Sequence, residues 1–328
     1  MVFQRSREQH RHLIEEESQI GEARRDAQRL AMKYGLDDTQ TGRVAIAATE
    51  LATNMYRHGS GGELLLQPIR AGDKEGIELL AIDKGRGMTD VDRCLSDGYS
   101  TGGTTGTGLG AIRRLSVEFD IHSVPGEGTV VMCRVGAIAG SRLGAISIAL
   151  QGETECGDGW AFAQDDTFTS LMVVDGLGHG SFAAVAAEGA LRTFADAPAE
   201  SPRGLLERAH RALGSTRGAA AAVARVTAGG SVSYAGVGNI SGRLVSAEKS
   251  QGLVSHNGTL GLTMPRLQQF EYARPTESFL VMHSDGLSAR WDLHENAALR
   301  QRHPAIIAAI LYRDHARARD DATVVVWN

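Results

Sequence analysis

The chain has 328 residues, 22% of them charged, with a formal net charge of -5 and a pI near 6.1. Its length is about twice that of a usual domain, which points to two domains, and the lack of a basic field argues against nucleic acid or an anionic membrane as the main partner. Three cysteines (Cys94, Cys133 and Cys156) with no Cys-x-x-Cys spacing argue against a disulfide framework or a zinc site; with no apolar leader or membrane-length run, the expectation is a soluble protein of the reducing cytoplasm.

Residues 1–17 mix Arg, His, Gln and Glu with few large apolar groups and read as a frayed or partner-facing extension. Apolar residues at helical spacing predict a helix over 20–34, ended by Gly35, and a second over 39–57, capped by Asp37 or Asp38 and stopped at His58-Gly59. Runs 63–69 and 77–83 are β-prone and read as a hairpin. The stretch 84–107 is long and rich in Gly, Ser and Thr, which marks a functional loop. A helix over 109–118 and strands over 119–123 and 129–135 follow, and the small-residue stretch 136–140 is the expected boundary. Beyond it, strands at 145–150, 171–174, 219–226, 231–237, 279–283 and 322–327 alternate with helices at 181–194, 202–213 and 304–312. The hairpin-like connections favour a mixed, largely antiparallel α/β sandwich.

Two constellations carry chemistry. In the first, Glu50 and Asn54 are one helical turn apart on one face, so an amide oxygen for a magnesium ion stands beside a carboxylate able to take a hydroxyl proton. Asp83 ends a strand in Asp-x-Gly-x-Gly, where a carboxylate can accept from an exocyclic amine while Gly85 and Gly87 let the backbone approach a flat base. Gly106, Gly108 and Gly110 precede a helix start, where free amides favour phosphate oxygens. No Lys or Arg lies between Cys94 and Gly110, which leaves charge neutralisation to metal and backbone amides. Either a Gly-rich loop or a Glu/Asn pair alone has roughly one chance in ten of function; the three in this order resemble the N, G1 and G2 boxes of the Bergerat-type (GHKL) ATPase family. With Asp97-Gly98-Tyr99-Ser100-Thr101 ahead of the glycines and Gly128-Thr129 after them, the stretch is most similar to the RsbT and anti-sigma serine/threonine switch kinases. The resemblance implies a two-layer α/β sandwich, ATP and Mg²⁺ as cofactors, Glu50 as base, Asn54 as magnesium ligand, Asp83 as adenine reader and Thr129 as a second adenine-side contact.

In the second, Asp158, Asp175, Asp285 and Asp320 lie beside Gly or at strand ends, where converging carboxylates suit a pair of hard divalent cations. The set Asp-Gly-x-Gly-His-Gly, Gly-x-Gly-Asn, Ser-Asp-Gly and Asp-Asp-x-Thr resembles the RsbX/SpoIIE-like branch of the type 2C metal-dependent phosphatases, an α-β-β-α sandwich. This implies two Mn²⁺ or Mg²⁺ ions, with Asp175 bridging, the Gly176 carbonyl ligating directly or through water, Asp158 supporting these ligands, and Asp285 and Asp320 holding one ion; Asp321 ranks behind Asp320. His179 is expected to hydrogen-bond the loop, and Asn239 to act in structure more than in substrate contact.

The domains expected are 1–137, a switch kinase, and 141–328, a phosphatase. Together they imply a bifunctional serine/threonine kinase and phosphatase acting on STAS-domain antagonists of the RsbS/RsbR type in a partner-switching or stressosome pathway. A downstream phosphatase or sigma-pathway regulator is a further candidate partner. The alternative is a phosphatase whose nucleotide-binding module sequesters a sigma factor or partner, or senses ATP, without kinase activity.

Overall fold

The computed structural model describes residues 1–6, 8–95, 108–136, 142–264 and 267–328. The chain forms two units, Arg7–Ser141 and a second made of Met1–Ser6 with Arg142–Asn328.

Strand β1 (Val2–Arg5) belongs to the second unit, and β2 (His10–Ile14) begins the first. Helices α1 (Glu17–Lys33) and α2 (Asp38–His58), strands β3 (Gly62–Ala71) and β4 (Lys74–Ile82), helices α3 (Val91–Leu95) and α4 (Gly108–Leu115), and strands β5 (Glu118–Val124) and β6 (Gly128–Gly136) follow. The strands make one antiparallel sheet of order β2-β3-β4-β6-β5. Ala23, Ala27 and Leu30 of α1 and Val44, Ala48, Leu51 and Met55 of α2 recur at helical spacing and pack on Leu64, Leu66, Leu79 and Val131 of the sheet. As predicted, Asp37 caps α2, accepting from Gln40 N at 2.7 Å. On the other sheet face a polar row crosses four strands: Gln67 and Arg134 donate to Glu78, and Arg134 also to Glu118. A one-residue slip would turn these groups onto the helix-covered face, so the row fixes the register.

The second unit continues with β7 (Leu143–Ile148), β8 (Asp158–Gln164), β9 (Phe168–Gly176), α5 (Ser181–Asp196), α6 (Pro202–Ala212), β10 (Ala219–Thr227), β11 (Ser231–Val237), β12 (Ser241–Val245), β13 (Ser250–Leu253), β14 (Phe270–Ala273), β15 (Phe279–His283), α7 (Ala297–Arg300), α8 (Pro304–His315) and β16 (Ala322–Trp327). Two antiparallel sheets, β1-β8-β9-β10-β11-β14 and β13-β12-β15-β16-β7, face each other. Trp160, Phe162, Val173, Tyr234, Leu280 and Val325 fill the space between them. The alternate residues Ala161, Met172 and Val174 meet Ala187 and Leu191 of α5 and Leu206 of α6. Helix α8 covers β7 and β16. The layering is the predicted α-β-β-α sandwich.

The N-terminal extension is not frayed. Its alternating charged and apolar side chains suit edge strands, where one ladder side is open and charge is tolerated; β1 and β2 are both edges. The first six residues therefore complete the second unit, unlike the division drawn at residue 137. Arg5↔Ala161 and Val2↔Gln164 set the β1 register, Ser6 N donates to Trp160 O at 2.8 Å, and Arg5 pairs with Glu188 of α5 at 2.9 Å. The sequence reading also missed β8, β12, β13, β14 and the short helices α3 and α7. It ran α4 to residue 118, whereas Val117 N already donates to Arg134 O and starts the sheet. Among the described residues no helix is long and apolar enough to cross a membrane.

All three tryptophans, Trp160, Trp291 and Trp327, lie in the second unit. Deleting residues 1–6 should lower its stability by about 2–4 kcal/mol, at roughly 1 kcal/mol per ladder hydrogen bond. Urea unfolding followed by tryptophan fluorescence reads this directly, and an unchanged midpoint would contradict it.

Candidate active sites

In the first unit, α2 holds Glu50 and Asn54, both half-buried, one turn apart. The start of α4 comes down on them: a Cβ on Gly108 would lie 3.2 Å from Glu50 Oε2 and 3.6 Å from each terminal atom of the Asn54 amide. Among the described residues Asn54 Nδ2 is buried without a hydrogen-bond partner, which leaves an N–H donor open to a ligand oxygen. Gly110 is buried within α4. Gly106 and the phrase 97–101 lie outside the described residues.

Asp83, just past β4, is held by backbone. Its N–H donates to Thr129 O at 2.9 Å, and its Oδ1 accepts from Gly85 N at 2.8 Å and Thr129 N at 3.1 Å. The Thr129 hydroxyl shares a 2.8 Å hydrogen bond with Ser123, its cross-strand partner, which also accepts from Met88 N. The predicted adenine-side pair is thus adjacent, and Ser123, overlooked in the sequence, orients its second member; only strand register could have revealed it. Gly85 and Gly87 also meet a steric demand of the fold itself. A Cβ on Gly85 would lie 2.5 Å from Gly59 Cα, and one on Gly87, at φ 66°, would lie 2.1 Å from Val124 O. They let the chain cross its own backbone.

In the second unit, Asp158 and Asp175 are register partners across β8 and β9. Asp158 is buried and accepts from Ser284 Oγ at 2.6 Å; that hydroxyl accepts from Thr323 N at 3.1 Å. Asp285 Oδ2 accepts from Asn239 Nδ2 at 2.6 Å, so Asn239 orients a carboxylate, the structural role expected of it. Asp321 lies with both oxygens on backbone amides, Leu150 N at 2.7 Å and Gly157 N at 2.8 Å, and braces the loop. A Cβ on Gly176 would lie 2.2 Å from Ala183 O, so only glycine allows α5 to start this close to the site. His179 hydrogen-bonds Glu153 at 2.6 Å, as expected of a loop contact; Glu153, in an irregular stretch, gave no sequence signal.

Burial, then the charge of Asp175, pushes Asp158 well above the usual carboxylate range. Burial, then the charges of Asp285, Asp320 and Asp321, pushes Asp175 up to about 7. Asp320 is raised by burial and by Asp285. No three of these carboxylates bring oxygens within 4.8 Å of one another, so the grouping is looser than one coordination sphere. Oxygen donors that repel one another, oriented by a hydroxyl and an amide, fit hard divalent cations that keep part of their water.

Residues 14–134 match the histidine kinase-like ATPase domain model, and residues 165–328 match that of stage II sporulation protein E (SpoIIE). The serine/threonine-protein kinase RsbT of Bacillus subtilis (strain 168) is 34% identical over 109 residues, 33% of this chain and 82% of the relative. The chain belongs to the RsbT and SpoIIE families. Among solved structures, one from work on the bacterial stressosome as a modular system adapted to control secondary messenger signaling matches at 29% identity over 57% of this chain and 98% of that chain (TM-score 0.53). RsbX in complex with magnesium shares the fold at 23% identity, over 56% of this chain and 92% of that chain (TM-score 0.50). A kinase-like domain is thus fused to a type 2C phosphatase domain, and membership implies use of ATP and divalent metal in general.

Asp175 holds its proton more tightly when folded than an ordinary Asp near 3.8, so without metal its contribution to stability falls as pH rises from about 3.8 to 7. Asp175→Asn should therefore raise the melting temperature in chelator at pH 7.5, by about 2–4 °C per kcal/mol of repulsion relieved, and raise it less at pH 5. Tryptophan-detected melts at the two pH values test this; an equal gain at both would contradict it.

Proposed function

We propose that the first unit transfers phosphate from ATP to Ser or Thr residues of small STAS-domain antagonist proteins, and that the second unit hydrolyses the phosphorylated products. The observation that carries this reading is the occurrence in one chain of two separate acidic sites. Glu50 and Asn54 lie beneath the start of α4, and Asp158 and Asp175 face each other across a ladder beside Asp285 and Asp320. The RsbT relative is named as a serine/threonine kinase, which supports the first activity.

In the kinase site Glu50 accepts the proton of the attacking hydroxyl, Asn54 and the amides of the Gly106 to Gly110 loop receive magnesium and phosphate, and Asp83, with Thr129 beside it, accepts from the adenine amine. In the phosphatase site Asp175, the Gly176 carbonyl, Asp285 and Asp320 hold cations, with Asp158 supporting them from the buried side. Divalent cations bound there supply Lewis-acid stabilisation of the phosphoryl oxygens and an activated water. Asn239 fixes Asp285, and Ser284 fixes Asp158, so these carboxylates are preorganised. The phosphorylated fraction of the antagonist then follows the ratio of the two activities.

Radiolabelled ATP with candidate STAS proteins tests the pair. Glu50→Ala should keep ATP binding and lower transfer about 10²–10⁴-fold, whereas Asn54→Ala should lose the magnesium-dependent part of binding. ATP binding without transfer by the wild-type chain would replace the kinase with a sequestering module. Asp285→Asn should abolish Mn²⁺-dependent hydrolysis of phosphoserine protein while leaving transfer intact; full hydrolysis in excess chelator would remove the metal mechanism.

A further inference from the structure

A third cluster, in the first unit, belongs to neither site. His10 and His12 are two apart on β2, so their rings leave the same face of the strand. Helix α1 sets the buried Asp26 between them. Asp26 Oδ2 is 2.5 Å from His10 Nδ1 and 2.8 Å from His12 Nε2, while Oδ1 accepts from Arg29 at 2.9 Å. Among the described residues this is the one trio of His, Cys, Asp or Glu whose donor atoms all lie within 4.8 Å of one another.

We propose that His10 Nδ1, His12 Nε2 and Asp26 Oδ2 bind a divalent cation of the zinc class, with water in a fourth position. Two imidazole nitrogens and a carboxylate oxygen are a ligand set of three-residue zinc sites, and imidazole favours Zn²⁺, Co²⁺, Ni²⁺ or Cu²⁺ over Mg²⁺ and Ca²⁺. Bonds of about 2.0–2.2 Å to a tetrahedral ion place ligand atoms roughly 3.3–3.6 Å apart. The two Asp26–histidine spacings are shorter than this by roughly 0.5–1.1 Å, an adjustment small side-chain rotations supply. Arg29 holds Oδ1 and turns Oδ2 toward the rings, an outer contact that fixes a ligand's orientation. The ion replaces whatever protons the rings share with Oδ2 and joins the edge strand β2 to α1, within the unit that carries Glu50 and Asn54. Glu8, which contacts His10 Nε2 at 3.3 Å and pairs with Lys33, closes the far side of the cluster.

The test uses the full chain, stripped by chelator and held in millimolar Mg²⁺ to occupy the hard-oxygen site, and titrates Co²⁺. One equivalent should produce the visible ligand-field bands of a four-coordinate ion, removed by stoichiometric Zn²⁺. Loss of a ligand should weaken binding at least about 100-fold, since removal of mere outer contacts costs 10–100-fold. His12→Gln and Asp26→Asn should therefore lose the bands while Asp285→Asn keeps them. In the unaltered chain, zinc should shift the imidazole ¹⁵N resonances of two histidines, a readout that needs no variant to fold. Absence of four-coordinate bands, their survival in folded His12→Gln, or their loss in Asp285→Asn would overturn the proposal and leave a hydrogen-bonded cluster alone.

Discussion

Two carboxylates stand opposite each other across the β8–β9 ladder, and the second unit is organised around the cost of keeping them there. Like charges directly opposite in a sheet are unfavourable, more so with one of them buried. The structure answers with neutral partners rather than cations for Asp158 and Asp285, a serine hydroxyl and an asparagine amide. The cost is kept: burial first, then the charge of Asp175, raises the proton affinity of Asp158, and burial first, then Asp285, Asp320 and Asp321, raises that of Asp175. Such strain is what a metal-dependent site needs and what a structural ion pair would have removed. The apolar layers on both faces of the β8–β9 sheet offset it.

The first unit solves a different problem with backbone. Asp83 is clamped by two amides and a carbonyl contact from β6, so its carboxylate is aimed before any ligand arrives. Close backbone crossings at Gly85 and Gly87 make that clamp possible. The helix pair α2 and α4 does the rest, bringing Gly108 to the Glu50 and Asn54 side chains. Preorganisation here costs little charge repulsion.

The sequence by itself determined most of the architecture. Helical periodicity marked α1, α2, α5, α6 and α8, and β-prone runs around turn residues marked the hairpins of the first sheet, because local propensity and burial agree in those segments; the cap of α2 was narrowed to Asp37 or Asp38. Spacing within motifs likewise marked Glu50 with Asn54, and the aspartates at strand ends. Tertiary structure alone decided what depends on pairing between distant segments. The charged N-terminus became two edge strands in different units, since an edge accepts polar side chains that composition reads as disorder. Ser123, Asn239, Ser284 and the two histidines of β2 gained their partners only from register and from α1 packing. Asp320 and Asp321 are neighbours of one residue type that the motif resemblance ranks in that order, and the fold alone supplies a physical difference: Asp321 spends both oxygens on Leu150 and Gly157 amides contributed from about 170 residues away.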